Sequence, residues 1–84
     1  MEIGAFYLPV IGSIEEIEKG MAGKRTDLYQ QMLRELSEQA RYLDEHGYYG
    51  MGTTEHHFHI EGEEVSTNPV LLDLYIGMQT KRLK

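Results

Sequence analysis

The densest chemistry in this 84-residue chain lies in Glu55-His56-His57-Phe58-His59, where three of its four histidines fall within four positions. An imidazole with an ordinary pKa of about 6.5 gives or takes a proton near neutral pH, and can donate at one ring nitrogen while accepting at the other. Glu55 can fix a tautomer by accepting from a neighbouring ring N–H. A lone loop histidine is most simply a solvated or packed residue. Three beside a carboxylate favour a site. A metal centre is the second reading. In an extended backbone Glu55, His57 and His59 project to one side at period two, and two histidines with a carboxylate suit zinc or non-haem iron. Glu61, Glu63 and Glu64 would then add oxygen ligands. The chain has no HExxH or other metal spacing, and no GxGxxG or P-loop. Metal binding therefore ranks behind acid–base chemistry.

The elements around the cluster determine whether these groups can meet. The run Ile3-Gly4-Ala5-Phe6-Tyr7-Leu8 is apolar without alternation, which predicts a strand buried on both faces, as in a parallel sheet. Pro9 ends it, and residues 11–25 read as a loop with a single helical turn over 14–19. Leu28, Met32, Leu36, Ala40 and Leu43, widened by Leu33, predict an amphipathic helix over 27–46. Thr26 or Asp27 is its expected N-cap and Gly47 its left-handed C-terminal stop. Arg41 and Glu45 are spaced to pair on its wet side. Residues 48–54 read as a second strand, and 55–67 as a long polar loop. Asn68-Pro69 then starts a second helix, ending near Thr80, whose buried stripe is expected to be Val70, Leu71, Leu74, Tyr75 and Met78. Arg82-Leu83-Lys84 reads as the approach to a third strand. The order strand–helix–strand–helix predicts an α/β fold with parallel strands. In such folds sites form at the carboxyl ends of strands, where the histidine cluster falls.

Composition narrows the function classes. Net charge is −6, from fourteen acids against eight bases, which disfavours nucleic acid and anionic membranes as partners. There is no cysteine, so disulfides and thiolate metal sites are excluded. No apolar run approaches the roughly 20 residues of a membrane span, and the first residues lack a signal peptide's basic start, so a cytoplasmic location is expected.

The Met-Glu-Ile-Gly-Ala-Phe-Tyr-Leu strand, the helix closing in His46-Gly47-Tyr48, and Glu55-His56-His57-Phe58 followed by Asn68-Pro69 together resemble the start of bacterial luciferase-like monooxygenases. The likeness covers essentially the whole chain. It implies the first two βα units of a (β/α)8 TIM barrel, incomplete as it stands, with residues 1–84 the N-terminal part of one barrel domain; a whole barrel takes about 250 residues. It also implies reduced FMN, or a deazaflavin in related branches, with oxygen as co-substrate and a small organic molecule oxidised. A flavin reductase is the implied partner, and a homo- or heterodimer the implied assembly. By the same resemblance His56 is the catalytic, proton-handling residue, Glu55 and His57 bind near the flavin ring, and Asn68-Pro69 is structural. His59 falls outside the matching motif, and the phosphate site would come from later strands. The rivals are a small metal-binding module built on Glu55, His57 and His59, or a non-catalytic βα fragment that assembles with itself through exposed strand edges and helix faces.

Overall fold

The computed structural model describes residues 1–57 and 68–84. In chain order these form strand β1 (Gly4–Tyr7), helix α1 (Ile14–Glu18), a 3-10 turn (Ala22–Lys24), helix α2 (Thr26–Glu45), strand β2 (Gly50–Thr53) and helix α3 (Pro69–Gly77). β1 and β2 pair in parallel, with Gly4 opposite Gly50 and Tyr7 opposite Thr53. Both strands are shorter than the runs 3–8 and 48–54 predicted, with pairing confined to four residues of each.

α2 forms as its four-residue apolar periodicity requires: Leu28, Met32, Leu36, Ala40 and Leu43 are all buried. Its start differs from expectation. Arg25 occupies the cap position without a side-chain cap bond, and Thr26 is already helical. Its end follows the expected pattern, with Gly47 at φ +77°. Tyr48 N–H donates to Leu43 O at 3.0 Å and Gly47 N–H to Asp44 O at 3.4 Å, which satisfies carbonyls that a helix end leaves open. Arg41 bonds Gln79 Oε1 at 2.6 Å, so its partner lies across the α2–α3 contact and not at Glu45.

The core lies on one side of the sheet. Ile11, Ala22, Leu28, Met32, Leu36, Ala40, Leu72 and Ile76 form one cluster, with Tyr7 and Met51 packed against it. Both α2 and α3 contribute to that cluster, so both cover the same sheet face. Segment 11–25 is more ordered than a loop. Ser13 caps α1 by accepting from Glu16 N–H, while Ile11 and Ala22 are the most deeply buried residues of the segment.

Two expectations about burial fail. β1 is not buried on both faces: Gly4 and Phe6 are exposed, Phe6 by 67%. α3 buries Leu72 and Ile76, while Val70, Leu71, Leu74, Tyr75 and Met78 are exposed. α3 is apolar around most of its circumference, so periodicity cannot select its inner face. Its docking on α2 selects it.

Residues 81–84 run on into the sheet. Lys84 N–H donates to Tyr49 O at 3.1 Å, and Met51 N–H donates to Lys84 O at 2.7 Å. That alternation is the parallel pattern. It puts Lys84 beside Gly50, whose other neighbour is Gly4 of β1. A side chain at Gly50 would meet Lys84 O at 2.7 Å, so the close approach requires glycine there.

Candidate functional site

The site grows out of the carboxyl end of β2. Thr53, its last residue, is held in register with Tyr7 and donates its hydroxyl to Asp73 Oδ1 on α3 at 2.9 Å. The next four residues carry two short pairs, each spaced by two. Thr54 Oγ1 lies 3.1 Å from His56 Nδ1, in a half-buried contact. Glu55 Oε1 lies 3.3 Å from His57 Nε2, with both side chains more than half exposed. Exposed pairs of this kind contribute at most a fraction of a kcal/mol, roughly 0–1, so the second pair orients rather than stabilises.

The expected site residues are therefore brought together in part. Glu55 and His57 are partners, and His56 is held separately by Thr54. His59, Phe58 and the acids Glu61, Glu63 and Glu64 lie outside the described residues. Among the described residues no group of three histidine or acidic side chains is arranged to hold a metal ion. The donor set at Glu55 and His57 suits proton transfer and hydrogen bonding to a polar ring edge.

The sheet face opposite the helices bears Gly4, Gly50 and Gly52 with Phe6. The Phe6 ring lies against Gly52, where an added Cβ would come within 3.3 Å of it. Of these residues Gly4 and Phe6 are exposed, while Gly50 is covered by Lys84. The cationic side chain nearest in sequence to the start of α2, Arg25, is already bonded to Asp27 and Glu16, both at 2.7 Å. These bonds lower the carboxyl pKa of Glu16, through Lys19 and Arg25, and of Asp27, through Arg25. A groove of about 410 Å³ lined by Val10, Ser13, Glu16, Leu28, Met32 and Glu35 lies away from the histidines. It offers hydrogen-bonding groups but no proton-transfer pair.

Three residues that position the site's surroundings escape a reading of the motifs. Ser37, Arg41 and Asp44, spaced four and three along α2, hold the segment after α3. Gln79 bonds Ser37 and Arg41. Asp44 accepts the backbone N–H groups of Lys81, Arg82 and Leu83 at 2.8–2.9 Å. These amides lower its pKa, those of Lys81 and Arg82 most. Their sequence signal is weak: polar residues on the helical line beside the apolar stripe.

Comparison with family models, with curated proteins and with solved structures finds no match to this chain. Among the described residues no helix is long and apolar enough to cross a membrane.

Proposed function

We propose that this chain is the N-terminal segment of a flavin-dependent oxidoreductase of the luciferase-like class, a monooxygenase using reduced FMN and oxygen on a small organic substrate. His56 is its acid–base residue, and Glu55 and His57 lie beside the cofactor. The observation that carries this reading is the group at the carboxyl end of β2: His56 held at Nδ1, beside a Glu55–His57 pair. The sheet layout supports it. Parallel sheets are normally covered on both faces, and a face that no helix covers among the described residues, with Gly4 and Phe6 exposed, is what a barrel interior would enclose. The sequence-ordered neighbours β1, β2 and Lys84, with both helices on one face, suit a singly wound barrel.

The residues present fit the ring portion of a flavin through the exposed Phe6 side chain and a polar edge at Glu55 and His57. Arg25 is engaged with acids, so phosphate binding falls to other residues. The flavin supplies electrons for oxygen activation, or a hydride where a deazaflavin replaces it. His56 moves a proton at its ring, and Glu55 orients His57. The same reading expects a flavin reductase as partner, a homo- or heterodimer and a cytoplasmic setting.

Replacing His56 with alanine in the native gene product is expected to lower reduced-flavin-dependent turnover about 100-fold or more. The melting point should stay near that of the wild type, since His56 lies outside the core cluster. Unchanged turnover would remove His56 from the mechanism.

One observation favours a second reading, a non-catalytic module that assembles with itself. Val70, Leu71, Leu74, Tyr75 and Met78 leave an apolar stripe open along α3.

A further inference from the structure

From Pro69 to Gly77, α3 is apolar except for Tyr75 and one charged residue, Asp73. The helix gives that charge no local reason. Aspartate is a weak helix former, and Asp73 stands beyond the first turn, where an acid would meet the helix dipole. No basic residue lies three or four positions away to pair with it. Its carboxylate is used elsewhere. Asp73 Oδ1 accepts the Thr53 hydroxyl at 2.9 Å, across twenty residues of chain.

Between these two residues runs the connection that carries the candidate site. The chain leaves β2 at Thr53 and enters α3 after Asn68, and Glu55, His56 and His57 fall in between. Each anchor is fixed without the bond. Thr53 is in register with Tyr7 of β1. Asp73 follows Leu72 and precedes Ile76, the two residues that α3 buries in the core cluster. A bond between two points already in place orders little further chain, so it forms at low entropic cost. Asp73 is exposed and Thr53 only half-buried, so the bond adds little to global stability. Its effect is local, at the point where the connection begins.

We propose that Asp73 is a positioning residue: its bond to Thr53 clasps the base of the connection from β2 to α3 and fixes the direction in which Glu55, His56 and His57 leave the sheet. The bearing of the clasp on turnover rests on the acid–base role proposed above; the clasp itself does not.

The native gene product tests it. Asp73→Ala brings in the better helix former, and Thr53→Val keeps a β-branched strand residue, so each removes the bond and leaves its element intact. In nitrogen-detected NMR of the imidazole rings, both variants should shift the His56 and His57 signals in the same way, with melting curves near that of the wild type. The double variant should shift them no further than either single one, because both residues act through one bond. Thr53→Ser keeps the hydroxyl and should retain the wild-type signals. Unmoved rings in Asp73→Ala, or shifts that add in the double variant, overturn the proposal. A fall in melting temperature in step with every shift also overturns it, because Asp73 would then support the framework and not the site.

Turnover gives a second readout. Asp73→Ala and Thr53→Val should each lower kcat about tenfold with KM nearly unchanged, and the double variant should lose no more. Shifted rings with unaltered turnover uphold the clasp and remove the acid–base role of His56. Lost turnover with unmoved rings overturns the clasp.

Discussion

Asp44 shows how a single side chain on α2 governs a segment of chain it does not belong to. Its carboxylate is 8% exposed and closes on three successive backbone N–H groups, delivering Lys84 to the edge of β2. Arg82 and Lys84 lie around it with Glu45 and His46. The amides stabilise the charged form, so the folded pKa is below the ordinary aspartate value. For a depressed carboxyl pKa, the stabilisation is fully present above the unfolded value, about 4, and is lost as pH falls through the folded value. Asp44→Asn should therefore melt lower than wild type at neutral pH, and the gap should narrow as pH falls below the ordinary aspartate value of about 4. Melting curves across that range check it; a gap that stays constant with pH would mean the carboxylate charge is not what holds the segment.

At the scale of elements, α3 separates what a helix is from where it sits. Asn68 Oδ1 accepts from Leu71 N–H at 3.1 Å and Pro69 opens the helix, so its start is set locally. Its inner face is not. Leu72 and Ile76 pack into the cluster with Leu36 and Ala40, four residues apart on each helix. Leu72→Ala or Ile76→Ala should cost about 2–4 kcal/mol in chemical denaturation, whereas Leu71→Ala should cost about 0.5 kcal/mol or less. Equal losses at Leu71 and Leu72 would mean the helix is rotated from the position described. Ser37, Arg41 and Asp44 secure the same contact with polar bonds, so the α2–α3 seam is apolar near the sheet and hydrogen-bonded toward residue 79.

For the whole molecule, the balance of covered and uncovered surface is uneven. Among the described residues one sheet face carries two helices and the other carries none, and α3 presents a second apolar stripe to solvent. Exposed apolar patches of this extent mark places where other chain is meant to pack. Sedimentation of the 84-residue chain should show association that grows with concentration, and Leu71→Lys with Leu74→Lys should weaken it without unfolding α3. A monomer at every concentration tested would argue that α3 has no partner of its own kind. The net charge of −6 opposes close self-approach at low salt, so association should strengthen as salt is added.

Much of this architecture follows from local chemistry. Apolar spacing predicts α2, the Gly47 and Asn68-Pro69 signals place a helix end and a helix start, and the crossover order implies parallel strands. These depend on residues a few positions apart, where periodicity and capping act. The histidine cluster is legible for the same reason: its members are neighbours in the chain. The exposure of β1 and the inward face of α3 are different. Both runs are apolar on every side, so only the packing partner decides which side is covered. The Asp44 clasp, the Thr53–Asp73 bond and the approach of Lys84 to Gly50 join residues twenty or more positions apart, and no local pattern announces them. They exist because the folded chain leaves backbone N–H groups and hydroxyls near the core that must find acceptors, and the tertiary structure supplies those acceptors from a distant helix or strand.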